Sequence, residues 1–335
     1  MYKRQLNVTV FTHLLKNPLE TARILERSVY VDNFPNSLET EDEVIKYYHE
    51  SKDMMKSAGF NLRSFSSNSE AMMKLAREDK VEEKKQNISV LGMNWNIPDD
   101  KLSLNFKSFD VPRFKPEITD AMPSHVPISE ESEMSAKTIL DEFEVPDVVT
   151  KRDVLKVIGK IFDPLGLFGP VTMRAKYFLQ NLWRLKSNWD EPIPKSTENE
   201  WENIINDLNK LSTVEITRHL NYDPKERVEI HIFCDASKKC YSATCYLKSR
   251  GDVNLLFSRN RLAPIKEETI PRLELLGAVI AVRVSNHVSS TLKPVADNVK
   301  INYWCDSQVV LHWINSTKKL TEFVTNRILE ILQTN

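Results

Sequence analysis

Apolar positions recur at helical spacing through most of the first two-thirds of the chain and alternate in its last third. Residues 5–27 place Val8, Phe11, Leu14, Leu15, Leu19, Ile24 and Leu25 on a helical period, with Pro18 expected to break or kink the run. Residues 28–32 are short and β-branched. Helical spacing returns from Thr40 through Val44, Tyr47, Tyr48, Met54 and Met55 to Ala58. Thr40 suits the N-cap, Glu43 the third helical position and Gly59 the stop. Residues 61–66 and 88–95 read as strands around a charged helix over 69–80. Residues 107–146 carry several prolines and acidic clusters and read as a surface connection. A helix resumes at Thr150, and Phe162-Asp163-Pro164-Leu165-Gly166 is a turn by composition. Helices follow over about 171–183 and 201–211, separated by a loop at Pro192 and Pro194.

From Val228 the pattern changes to strand, strand, strand, helix, strand, helix. The strands are 228–234, 241–248, 253–259 and 299–305, and the helix spans 271 to about 290. Short connections make the first three an antiparallel meander, and a helix of that length carries the fourth strand back parallel to the first. The first and fourth strands end alike, in aromatic-Cys-Asp followed by a small residue: Phe233-Cys-Asp235-Ala236 and Trp304-Cys-Asp306-Ser307. Both carboxylates are expected at the same C-terminal sheet edge. Glu274 is a charge in the apolar run of the helix, with Gly277, Ala278 and Ala281 on its own face.

The remaining bulk properties narrow the picture. With 335 residues the chain is expected to hold about two domains. Its net charge of −1 gives no global basic field, so nucleic-acid binding would rest on local patches. Seven glycines include no dinucleotide fingerprint and no P-loop. The four cysteines, Cys234, Cys240, Cys245 and Cys305, match no zinc spacing and read as reduced, buried strand residues. No run approaches the length of a membrane span and no signal peptide is evident, so an intracellular chain without membrane partners is expected.

Three convergent carboxylates are what a nuclease needs to hold divalent metal. An all-oxygen donor set favours Mg2+ or Mn2+. Two such ions about 3.5–4 Å apart would activate a water and stabilise the leaving oxygen of a phosphodiester. A buried Glu274 needs a cationic partner: a metal on one reading, Arg272 or a sheet-borne Arg or Lys on the other. Arg259, Arg261, Lys266 and Arg272 lie beside this segment in sequence and could meet phosphates, or form a solvated loop.

Several longer runs resemble the Pol polyproteins of BEL/Pao-type LTR retrotransposons, a family also labelled Pao retrotransposon peptidase. They are Glu229-Ile-His-Ile-Phe-Cys-Asp235-Ala-Ser237, Ser258-Arg-Asn-Arg-Leu-Ala-Pro264, Thr269-Ile-Pro-Arg-Leu-Glu-Leu-Leu276 and Trp304-Cys-Asp-Ser-Gln-Val-Val-Leu-His-Trp313. Ile161-Phe-Asp-Pro-Leu-Gly-Leu-Phe-Gly-Pro170, Trp189-Asp-Glu-Pro192 and Phe323-Val-Thr-Asn-Arg-Ile328 fit as well. The resemblance implies an α/β and α+β chain in three parts: the end of a reverse-transcriptase palm (1–106), a thumb and connection (107–224) and an incomplete RNase H-like mixed sheet (225–335). It implies hydrolysis of RNA in RNA–DNA hybrids, with catalytic and metal-binding roles at Asp235, Glu274 and Asp306. Substrate contacts at Ser237, Arg259, Arg261, Arg272 and Ser307 are expected beside them, with the rest of the Pol polyprotein as partner.

Three departures qualify that expectation. Tyr30-Val31-Asp32-Asn33 matches the palm motif Tyr-x-Asp-Asp with Asn33 at the second aspartate, losing one negative ligand. The fingers and the strand with the other polymerase aspartate have no counterpart, so no polymerase activity is expected. The family's fifth RNase H strand and fourth acid would follow Asn335, so slow or absent turnover is expected, and a non-catalytic nucleic-acid-binding remnant is the alternative. An aspartic peptidase is disfavoured because neither Asp-Thr-Gly nor Asp-Ser-Gly occurs.

Overall fold

A computed structural model describes residues 14, 17–30, 33–106, 108–109, 148–223, 225–292, 296 and 298–333. The chain forms two compact units: residues 1–105 with 215–219, and residues 106–214 with 220–335. The expected surface connection over 107–146 lies outside the described residues except for 108 and 109.

In the first unit, helix α1 (Glu20–Ser28) begins two residues beyond Pro18, and residues 17–19 are not helical. Of residues 5–16, only Leu14 is described. In the β-branched stretch 28–32, Ser28 still belongs to α1, and Tyr30 exchanges backbone hydrogen bonds of 2.8 and 2.9 Å with Asn33. Val31 and Asp32 of the degenerate polymerase motif lie outside the described residues. Helix α2 (Glu41–Ser57) starts at the predicted Thr40–Glu43 capping box. It stops at Gly59, whose φ of +82° lets Gly59 and Phe60 donate to Lys56 and Met55. Helix α3 (Glu70–Glu78) is capped by Ser69.

Two strand expectations in this unit need correction. Residues 61–66 contribute only a bridge between Phe65 and Glu82. Residues 88–95 form a hairpin, β1 (Asn87–Val90) and β2 (Met93–Asn96), reversed at Leu91-Gly92 where both φ angles are positive. A leucine seldom adopts that conformation, which is why alternation alone read through the turn. Strand β3 (Lys101–Leu104) was not expected, and β4 (Ile216–Thr217) pairs with it, giving an antiparallel order β1-β2-β3-β4. Arg218 closes this edge with a two-pronged ion pair to Asp100 (2.6 and 3.0 Å), and Asp100 also accepts from Trp95 Nε1 at 2.9 Å.

The second unit opens with α4 (Lys151–Lys160), capped reciprocally by Thr150 and Asp153. This end is clasped to residues 189–192: Arg152 pairs with Asp190, Thr150 bridges Pro192, and the buried Lys151 ammonium sits 3.5 Å from the Trp183 ring centre and donates to Ser187 O. At the predicted turn, Asp163 accepts the N–H groups of Leu167 and Phe168, and α5 (Gly169–Arg184) follows. Helix α6 (Lys195–Leu211) starts earlier than the apolar spacing alone implied, directly after Pro194, and its Trp201 stacks on Phe178.

The C-terminal sheet has the expected topology. Strands β5 (Arg227–Ala236), β6 (Cys240–Ser249) and β7 (Asp252–Leu262) form an antiparallel meander, α7 (Ile270–Leu292) crosses over, and β8 (Asn298–Cys305) pairs parallel to β5 in the order β7-β6-β5-β8. Helices α8 (Gln308–Ile314) and α9 (Glu322–Leu332) complete the layer. Val228, Ile230, Ile232 and Cys234 alternate inward and meet Leu275, Ala278, Ala281, Val284 and Val288 of α7. Helix α7 is long and apolar enough to cross a membrane by length and composition, contrary to the reading that no run is. It is 61% buried over that window because it is the core helix of the sheet.

The Asp163 turn packs on β7. Ser258 N–H donates to Leu165 O at 2.8 Å. A Cβ on Gly166 would lie 1.9 Å from the Ser258 carbonyl oxygen, and one on Gly169 would lie 2.1 Å from the Asn260 side chain. Gly166, facing backbone with a φ of +70°, therefore needs glycine, whereas at Gly169 the Asn260 amide would have to turn away.

Candidate metal centre

Asp235 is near the end of β5, Asp306 directly follows β8, and Glu274 lies in the first turns of α7. The parallel register of β5 and β8 sets Phe233 opposite Trp304 and Cys234 opposite Cys305, so the two aspartates leave the sheet at one edge. Gly277 brings the helix up to them. A Cβ there would meet the Asp235 carbonyl oxygen at 3.3 Å and that of Ser242 at 3.6 Å, so the small residue three positions after Glu274 sets how near that acid comes to the strand tip. Ligand oxygens of Asp235, Glu274 and Asp306 all lie within 4.8 Å of one another.

The electrostatics of the cluster are unbalanced. Glu274 is only 9% exposed, and its Oε2 has no hydrogen-bond partner. Burial raises its pKa first, the neighbouring charges of Asp235 and Asp306 raise it further, and the Ala236 N–H opposes them. That N–H also donates to Asp235 Oδ1 at 2.7 Å. Arg272, one expected partner of Glu274, instead pairs with Glu268 at 3.0 Å and lies over the Phe323 ring. Three carboxylates with an orphaned buried oxygen and no ion-paired Arg or Lys among the described residues suit a hard divalent cation. Asp235, Glu274 and Asp306 are the residues that would hold one.

The other expected substrate contacts are placed differently. Ser237 accepts the N–H groups of Lys239 and Cys240, shaping the β5–β6 turn. Ser307 caps α8 through Val310 N–H. Arg259 and Arg261 are exposed on β7, in register with Ala243 and Tyr241, whereas Asp235 pairs with Ser242 and through it aligns with Asn260. The two arginines therefore alternate to the other face of the sheet from Asp235. Sequence reasoning missed the Ala236 N–H, a backbone donor that no side-chain pattern marks. It also missed the coupling of the cysteines beside the acids. A hydrogen bond from Cys234 holds Cys305 down at about 7, while the same contact and burial push Cys234 up.

Beyond the acids, the outer face of the sheet carries a row of rings. Phe233 and Trp304 are 46% and 49% exposed and stack at 5.8 Å, and Trp304 Nε1 donates to His231 Nδ1 at 3.0 Å.

Comparison with known proteins agrees with this architecture. Residues 150–307 match the family model described as Pao retrotransposon-like RNaseH-like domain. The match runs from the cap of α4 through the last acid and includes the three helices ahead of the sheet. A search of curated proteins gave no match. Among solved structures, similarity extends to an RNase H1 from the halophilic archaeon Halobacterium salinarum NRC-1 (12% identity, 32% of this chain and 76% of that one, TM-score 0.23). It extends also to the foamy viral protease-reverse transcriptase in complex with RNA/DNA hybrid (12% identity, 92% and 35%, TM-score 0.46). The same protein in complex with double-stranded DNA is similar at 14% identity over 91% and 44%, with a TM-score of 0.43. This chain spans less than half the length of either foamy-virus chain, and all three scores are too low to carry the fold. The family match and the sheet itself carry it: residues 150–307, just under half of the chain, match the Pao retrotransposon-like RNaseH-like domain family.

Proposed function

We propose that this chain hydrolyses the RNA strand of RNA–DNA hybrids in a reaction dependent on Mg2+ or Mn2+, with Asp235, Glu274 and Asp306 as the metal-binding and catalytic acids. The observation that carries the reading is the orphaned, buried Oε2 of Glu274 inside a cluster of three carboxylates at one sheet edge. A bound divalent cation would supply a more acidic water and charge stabilisation for the phosphodiester oxygens. The chain's own residues do the rest. The strand register holds the two aspartates side by side, Gly277 lets α7 deliver Glu274 to them, and the Ala236 N–H orients the carboxylates. Arg259 and Arg261 remain available for phosphates approaching over the β7 edge, while Ser237 and Ser307 act on substrate only if their backbone partners release them. The partner is nucleic acid, and in the parent element the rest of the polyprotein. The residues 1–106, 107–224 and 225–335 correspond to palm remnant, thumb and connection, and nuclease.

The test is cleavage of a labelled RNA–DNA hybrid by the full chain in Mn2+ or Mg2+, with chelator and Asp235→Asn as controls. Metal-dependent cleavage abolished by the substitution supports the reading. A folded chain that binds hybrid without cutting it establishes the non-catalytic remnant instead.

A further inference from the structure

The residues immediately before both aspartates are cysteines, and the metal centre uses neither. Cys234 and Cys305 stand directly opposite one another in the parallel pair of β5 and β8. Cys234 Sγ lies 3.5 Å from the carbonyl oxygen of Trp304, the residue directly before Cys305. Cys234 is buried, whereas Cys305 is partly accessible and can meet a small oxidant.

We propose that Cys234 and Cys305 are an oxidisable dithiol that closes into a disulfide and disables the adjoining acid cluster. Neighbouring strands run about 4.8 Å apart. Directly opposed residues therefore fall inside the roughly 4.4–6.8 Å Cα separation that a disulfide spans. The two Cβ atoms must approach to about 3.8 Å, so closure draws the strand ends together by roughly 1 Å. Asp235 and Asp306 are the next residues along each strand, and a metal site tolerates displacement of only about 0.5 Å. The other thiols are not placed to compete. Cys245 is opposite Ile232, diagonal to Cys234 at about 7–8 Å, and Cys240, the first residue of β6, is opposite Leu262 and lies three positions before Ala243, the partner of Cys234.

Hydrogen peroxide serves as the oxidant. The Cys305 sulfur attacks one peroxide oxygen, the O–O bond breaks, and water leaves with the thiol proton, giving a sulfenic acid. The Cys234 sulfur then attacks the Cys305 sulfur, and the displaced hydroxyl takes the Cys234 proton and leaves as a second water. Two sulfurs give up one electron each, one peroxide is reduced to two waters, and a dithiol reductant reverses the bond. The disulfide stands on the strand register alone, while its effect on cation binding rests on the metal-centre reading above.

The experiment treats the full reduced chain with dilute peroxide, alkylates the remaining thiols and maps the peptides by mass spectrometry. A single cross-linked pair containing Cys234 and Cys305, with Cys240 and Cys245 alkylated, is expected. Mn2+ affinity measured on the same samples should fall about tenfold or more on oxidation and recover with dithiothreitol. Cys305→Ser, a mild change at a partly exposed position, should keep its Mn2+ affinity under peroxide, and Cys234→Ala should do the same. Recovery of Cys305 as a sulfinic acid with Cys234 still alkylatable overturns the disulfide. A mapped disulfide with unchanged Mn2+ affinity overturns the switch. A reduced chain that binds no Mn2+ removes the metal centre and the switch with it, whereas the cross-linked peptide still decides the bond.

Discussion

The two four-stranded sheets of this chain differ in what stands behind them. The strands of the β5–β8 sheet are eight to eleven residues long, and a 23-residue helix covers one face, so alternate residues of the central strands β5 and β6 are buried. The strands of the β1–β4 sheet are two to four residues long and mostly half-exposed. A one-residue slip in the first would turn an entire apolar row outward, and this fixes its register. Fixed register is what carries two aspartates, 71 positions apart in sequence, to one strand edge. The smaller sheet has no such lever, and its unit holds smaller clusters around Leu25 with Met54 and Met55 and around Tyr48 with Met72. Chemistry gathers where burial on one face dictates the placement of the ends.

Truncations should expose the contrast. Ile232→Ala, in the larger core, is expected to cost about 3–5 kcal/mol, and Leu25→Ala about 2–3 kcal/mol because a small cluster relaxes more readily. Urea unfolding of the full chain reads both, and equal losses would contradict the comparison. Gly166→Ala combines an unfavourable φ of +70° with collision against the Ser258 backbone and should cost about 2–4 kcal/mol. The loss should weaken the packing of the α4–α5 turn on β7 and appear as faster amide exchange at Ser258. In the smaller sheet, Arg218→Ala removes the paired bonds to Asp100 and should cost about 1.5–3 kcal/mol, seen in the same unfolding curves. Thr40→Ala, which breaks one capping box, should cost about 1 kcal/mol.

Much of this was legible from residues. The capping box at Thr40, the resumption of helix at Thr150, the meander, the crossover helix and the meeting of Asp235, Glu274 and Asp306 follow from alternation and spacing. What escaped was held by local exceptions or by backbone. The Leu91-Gly92 reversal puts a leucine in the left-handed region, strand β4 is two residues long, and the Ala236 N–H leaves no mark in a side-chain pattern. Of the alternatives open for Glu274, Arg272 is not its partner: two positions apart on a helix they do not face one another, and Glu268, four positions back, takes the guanidinium.

The charge of Glu274 also sets a pH dependence. Its pKa is raised in the folded chain, so the folded state holds that proton more tightly than the unfolded one. Metal-free stability should therefore fall as pH rises above the ordinary value of 4.5, through the raised folded value, and Glu274→Gln should remove that fall.

Thermal unfolding of the parent chain and of Glu274→Gln, each with and without Mn2+ at neutral pH, tests the central account most directly. Without metal the variant should melt about 2–4 °C higher, because a repelled buried charge is gone. Mn2+ should stabilise the parent and leave the variant nearly unmoved. Equal stabilisation of both by Mn2+, or a variant that melts lower than the parent without it, would contradict a cation held by these three acids.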